Sequence, residues 1–186
     1  FSGATRSVIK TQSAKPSATL EPFMMLHLDI DHHSVHSVET ALAHHLASLT
    51  LTDYKPEGSA HAAHATKHMY LNELPSVLVL HLKRFQYSGN STVKNHKHVV
   101  FEPLLRLRKP MLDERFSSGT AEYRLVSTIS HHGRHAAGGH YTADVLQPEG
   151  RWLRFNDALV DAVGHETVLA EKPYILLYAA SQLPPR

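Results

Sequence analysis

Three observations predict an α+β fold built on a mostly antiparallel sheet. Phe23 to Ile30 (FMMLHLDI) alternates apolar and polar residues, and Leu74 to Phe85 (LPSVLVLHLKRF) is a nearly continuous apolar run. Tyr141 to Gln147 and Arg151 to Phe155 flank Pro148, Glu149 and Gly150, as two strands flank a hairpin turn. Against these strands a single stretch carries a helical period, so strands dominate and helices are few.

Taken in order, residues 1 to 20 are polar and predict a mobile start. In FMMLHLDI, Met24, Leu26, Leu28 and Ile30 share one face and His27 and Asp29 the other, which predicts a half-buried strand. Ser37 is placed as the N-cap of a helix whose stripe runs through Val38, Ala41, Leu42, His45, Leu46 and Leu49, ending near Leu51. Asp53 to Ala65 holds Pro56, Gly58 and small residues and reads as a loop. LPSVLVLHLKRF predicts a central strand buried on both faces, with Lys83 and Arg84 at its exit. Lys97 to Phe101 predicts a strand closed by Pro103, and Lys109 to Ala121 reads as loop. Tyr123 to His132 resumes strand character, the hairpin follows, and Tyr174 to Ala179 (YILLYA) is a last apolar strand.

Apolar residues make up 42% of the 186 and charged residues 19%, a globular balance, and no apolar run approaches the ~20 residues that span a bilayer. A membrane partner is not expected. Nor is nucleic acid: the net charge is +2, without a basic stripe interleaved with aromatics. The start lacks the apolar centre of a signal peptide and begins with Phe, so an upstream segment is expected. Zero Cys excludes disulfides and thiolate metal sites and fits a reducing compartment. The 17 His titrate near pH 6.5 when unperturbed and act first as a solubility lever.

The chemistry concentrates in Gly138, Gly139, His140, Tyr141 and Thr142, followed by Trp152, Phe155, Asn156 and Asp157. Pairing strands around Pro148 to Gly150 makes paired positions sum to about 298, which sets His140 nearly opposite Asn156 and Asp157. Directly opposed Cα atoms lie about 4.5 to 5.5 Å apart, within reach of an Asn or Asp side chain for an imidazole nitrogen. Such a contact fixes the tautomer of a general base. The bland alternative is that His140 is one of many histidines and Gly138 and Gly139 merely start a hairpin.

The ordered blocks LPSVLVLHLKRF, YRLVSTISHHG, GGHYTADV, WLRFNDALV and YILLYA resemble the C-terminal half of the ubiquitin-specific protease family, over about Leu74 to Ala179. The resemblance implies the palm and fingers portion of a papain-like domain: a partial catalytic domain over residues 21 to 180, with a tail over 181 to 186. It implies His140 as general base, Asn156 as orienting residue and Asp157 as its acidic supporter or substitute. Phe85, Gly138, Gly139 and Tyr141 are implied to flank ubiquitin's C-terminal tail. The implied reaction is thiol-dependent hydrolysis after ubiquitin's last glycine, with no cofactor, in the cytoplasm or the nucleus. Ubiquitin and ubiquitinated proteins are the implied partners.

One departure is decisive. The family's nucleophile is a cysteine, and this chain has none. The isolated chain is therefore expected to be inactive, either as part of a working deubiquitinase or as a noncatalytic pseudoprotease that binds ubiquitin or a protein partner. A product without a stable fold is the third reading. Many relatives also bind zinc through Cys pairs that are missing here. His61, His64 and His68 would share a face on a helix, but a solvated polar segment is the preferred reading, so no metal is expected. His131, His132 and His135 are treated alike and placed in an exposed loop.

Overall fold

The computed structural model describes the whole chain except residues 12–14, 57–61, 89–90, 117–118, 136–137 and 185–186. The elements run β1 (Gly3–Thr11), β2 (Ser17–Phe23), β3 (Leu26–Leu28), α1 (Val38–Leu46), β4 (Leu49–Tyr54), β5 (Ala63–Glu73), β6 (Val77–Leu82), β7 (Phe85–Ser88), β8 (Ser91–Lys94) and β9 (Leu104–Arg108). After a 3-10 turn at Lys109–Met111 come β10 (Thr120–His135), β11 (Gly138–Leu146), β12 (Trp152–Asn156), β13 (Leu159–Val163), α2 (His165–Leu169) and β14 (Pro173–Gln182).

The larger sheet has the order β13-β12-β11-β10-β14-β6-β3, with β9 also on β10. Its long strand β10 pairs with β9 at residues 120–124 and with β11 beyond residue 127, while β14 runs along its other edge. A second sheet has the order β2-β1-β5-β4, and β7 pairs with β8. Among the described residues all ladders are antiparallel except β3 with β6, so the large sheet is mixed.

The core lies where α1 crosses the large sheet. Val38, Ala41, Leu42 and Leu46 of α1 are buried with Leu28, Ile30, Leu78, Leu80, Leu82, Leu105, Leu107, Leu125 and Leu176. Each of the Val, Leu and Ile side chains contributes roughly 1.5–3 kcal/mol by leaving water. Two buried tyrosines keep their hydroxyls satisfied, Tyr123 donating to the Pro75 carbonyl at 2.8 Å and Tyr178 to that of Glu102 at 2.9 Å. Ser37 caps α1 as expected, in a reciprocal box: Thr40 N donates to Ser37 Oγ at 3.1 Å and Ser37 N to Thr40 Oγ1 at 2.8 Å.

Several expectations are corrected. The start is not a loose segment: Gly3–Thr11 is an inner strand of the second sheet, with Ala4 and Val8 buried. The helix stops at Leu46, because Leu49 to Tyr54 pairs with β5 instead, and Leu49 is exposed. Of the expected loop over residues 53–65, both ends are strand and residues 57–61 lie outside the described residues. β6 buries Leu78, Leu80 and Leu82 fully on one face but only half-covers Val77, Val79 and His81 on the other. Residues 97–101 form no strand. Val100 makes one isolated bridge to Ser37, and the strand β9 begins after Pro103, which has no N–H to give a ladder.

The histidine expectations also change. His61 lies outside the described residues, and His64 and His68 sit on the strand β5, where helical spacing does not apply. At about 3.3 Å per residue their Cα atoms are some 13 Å apart, too far to chelate one ion. His131, His132 and His135 lie in β10 rather than in a loop, and His131 is buried.

Candidate active site

The site grows from the β11–β12 hairpin. Its turn closes with Gln147 N donating to the Arg151 carbonyl at 2.8 Å, and Gly150 takes a φ of 84°, a conformation glycine adopts without steric cost. The ladder pairs Ala143 with Phe155, Asp144 with Arg154, Val145 with Leu153 and Leu146 with Trp152, the register derived from the sequence. The next turn, between Asn156 and Leu159, has two residues. The first, Asp157, takes a φ of 53°, which Asp tolerates better than most side chains.

This register brings His140 and Asn156 together at one end of the sheet. His140 Nε2 and Asn156 Oδ1 form a short hydrogen bond. Because Oδ1 only accepts, Nε2 carries the proton, and in the neutral ring Nδ1 keeps the lone pair. Nδ1 lies 3.8 Å from Asp157 Oδ2, on a side chain 85% exposed. His132 pairs across from His140, with ring centroids 6.2 Å apart, and its Nε2 lies 2.8 Å from Thr142 Oγ1.

Strand alternation sends Tyr141 to the opposite face from His140. There a ladder of rings runs from His81 to Tyr174 (4.5 Å between centroids), Phe85 (5.6 Å), His131 (5.1 Å) and Tyr141 (4.8 Å). Phe85 and Tyr141 thus meet through His131. Gly139 packs directly on the His131 ring. Lys94 Nζ donates to the carbonyls of His131 at 2.6 Å and Gly133 at 3.0 Å, pinning the backbone that leads to Gly138. Burial, then the charges of Lys94 and His132, push the His131 imidazole below its ordinary pKa.

The sequence reading gathered His140, Asn156, Asp157, Gly138, Gly139, Tyr141 and Phe85, and all seven lie around this sheet end. It placed His131 in an exposed loop instead, and it did not single out Lys94 or the ring of Tyr174. The alternation of β10 breaks where its pairing with β14 shifts register between Leu125 and Ser127 and again between Ile129 and Ser130, so the buried face could not be extrapolated to His131. Tyr174 lies near the start of a strand whose apolar run is legible, but its ring contacts come from β6, β7 and β11.

A family model described as ubiquitin carboxyl-terminal hydrolase matches residues 1–178. The chain belongs to that family. Among curated relatives, it is 37% identical over 180 residues to ubiquitin carboxyl-terminal hydrolase 24 of Arabidopsis thaliana, covering 96% of this chain and 32% of the relative. It is 37% identical over 187 residues to ubiquitin carboxyl-terminal hydrolase 10 of Gallus gallus, covering 96% of this chain and 24% of the relative. The chain therefore spans about a third or less of these relatives. Among solved structures, a chain of the SAGA Ubp8/Sgf11/Sus1/Sgf73 DUB module bound to ubiquitin aldehyde superposes with a TM-score of 0.86 at 29% identity, covering 98% of this chain and 42% of that one. The sheet-dominated architecture with few helices is that of this hydrolase family.

Proposed function

We propose that this chain supplies the base-bearing part of a thiol-dependent deubiquitinase, which hydrolyses the isopeptide or peptide bond after ubiquitin's C-terminal glycine. The observation that carries the reading is the hydrogen bond between His140 Nε2 and Asn156 Oδ1, which leaves Nδ1 as the basic nitrogen. Nδ1 takes the proton of a cysteine thiol, and the thiolate attacks the carbonyl carbon of the last glycine. The tetrahedral intermediate collapses to a thioester as the leaving amine takes the proton from Nδ1. Water, deprotonated by the same nitrogen, then attacks the thioester, and the thiol leaves with that proton. Asp157, 3.8 Å from Nδ1, is too exposed to make more than a weak, screened contact with the ring.

Gly138, Gly139, Phe85 and Tyr141 form the wall for ubiquitin's tail in this reading. Tyr141 is half exposed and offers a ring edge to an extended chain. The relatives named above are ubiquitin hydrolases, and a similar structure holds ubiquitin aldehyde, which supports the choice of substrate. The chain has no cysteine, so the thiol must come from outside these 186 residues.

Two measurements test the reading. With a fluorogenic ubiquitin substrate this chain alone should give no turnover above blank, and concentration-dependent turnover would contradict the assignment. In 15N spectra of the neutral His140 ring, Nε2 should be protonated and Nδ1 free, and Asn156→Ala should reduce that preference toward the intrinsic one of a free imidazole. The absence of Cys, together with the exposed Tyr141, also favours a second reading, a noncatalytic ubiquitin binder. Both readings require binding of the tail, and only the first gains activity when a cysteine-bearing partner segment is supplied.

A further inference from the structure

A cavity of about 390 Å³ opens between the end of β8, the end of β10 and the connection from α2 to β14. Its wall includes Arg84, Lys94 and Lys172, together with Ser130 and His132. Glu171 is the only carboxylate on that wall among the described residues, and it already accepts from Arg154 Nη2 at 2.8 Å. The cavity is thus lined by more positive charge than its own walls neutralise.

Arg84 is the deepest of these cations, only 1% exposed. Its Nε donates to the Pro173 carbonyl at 2.7 Å, and Nη1 donates to the carbonyls of Lys97 at 2.8 Å and Asn95 at 3.2 Å. All three acceptors are neutral, and Nη2 has no partner among the described residues. Ser130, 3% exposed, leaves its Oγ unpartnered on the same wall. Burial lowers the Arg84 pKa to about 10, and burial followed by the charges of Arg84 and Lys172 lowers that of Lys94. A buried cation without a counter-charge is costly, and buried donors are normally paired.

We infer that this cavity binds a phosphate-class oxyanion, either free or as the phosphoryl group of a small molecule. Water would satisfy single donors but leave the charge of three cations uncompensated. A tetrahedral oxyanion supplies several acceptor oxygens and up to about two negative charges, and Arg, Lys and Ser donors arriving from separate elements suit that shape. The site does not depend on the hydrolase reading, because it requires neither His140 nor a thiol.

The test is calorimetric titration of the whole chain with inorganic phosphate and, separately, with phenyl phosphate, at constant ionic strength and with chloride as control. Saturable phosphate binding is expected, weakened about tenfold or more by Lys172→Glu, the worth of one charge-assisted contact. Lys172 is exposed, so this variant keeps the fold even where Arg84→Met does not. Ser130→Ala should weaken binding less. Binding of both probes assigns the site to phosphoryl compounds, and binding of inorganic phosphate alone assigns it to the free anion. No saturable binding, equal binding of chloride, or an affinity unchanged in Lys172→Glu would overturn the inference.

Discussion

Asp144 and Arg154 face each other across β11 and β12 and are joined by two parallel hydrogen bonds, Nε to Oδ1 at 2.7 Å and Nη2 to Oδ2 at 2.8 Å. Asp144 is 2% exposed, and Arg154 also reaches Glu171. This fork sits between the turn at Gly150 and the end that holds His140 and Asn156, so it locks the register on which their hydrogen bond depends. Arg154→Met would leave a buried carboxylate without its cation and should destabilise the fold by about 3 kcal/mol in urea denaturation. Unchanged stability would show that the fork does not hold the hairpin.

The two glycines before His140 are not equivalent. A methyl group on Gly139 would overlap the His131 ring and stand 2.7 Å from the His132 carbonyl, whereas one on Gly138 meets nothing within 4 Å. Gly139→Ala should therefore cost about 1–3 kcal/mol and shift the His131 resonances, while Gly138→Ala stays within about 0.5 kcal/mol of the parent. Equal melting temperatures for the two variants would contradict this packing.

The fold should weaken on mild acidification. His45, His81 and His131 are each held below the ordinary value of 6.5, by burial first and then by neighbouring positive charge. The folded chain keeps them neutral while the unfolded chain takes up protons below 6.5. Their contribution is thus complete above that pH and is lost as pH falls toward the folded values. The melting temperature should drop between about pH 7.5 and 5.5, a range in which ordinary carboxylates stay ionised. His45→Gln should reduce the drop, and a flat profile would contradict the assignment.

The cap of α1 gives a smaller effect. Ser37→Ala removes the acceptor for Thr40 N and should cost about 1 kcal/mol in thermal or chemical denaturation. Ser37→Asn should recover part of it.

The sequence was most legible where a local rule acts alone. The Pro148 to Gly150 turn set the register of β11 and β12, and with it the meeting of His140 and Asn156. Ser37 marked the start of α1, and the Val and Leu run marked β6. Legibility failed where partners are distant in the chain. Gly3–Thr11 looks polar because the residues it buries include Thr5 and Ser7, and it becomes an inner strand only by pairing with residues 65–73. His131 is buried because Phe85 of β7 and Tyr141 and Gly139 of β11 converge on it from two other strands. The role of Lys94 as a clamp on the His131 and Gly133 carbonyls depends on a contact 37 to 39 residues away, which no local pattern encodes.

The central claim is that His140, Asn156 and the adjoining glycines and aromatics form a half-site for ubiquitin's tail. Its most direct test is an NMR titration of the labelled chain with intact ubiquitin and with ubiquitin lacking its last two glycines. Intact ubiquitin should shift the resonances of Gly138, Gly139, His140 and Tyr141. The shortened form should leave them in place, and Tyr141→Ala should weaken the response to intact ubiquitin. Identical shifts with both forms, or none at these four residues, would contradict the claim.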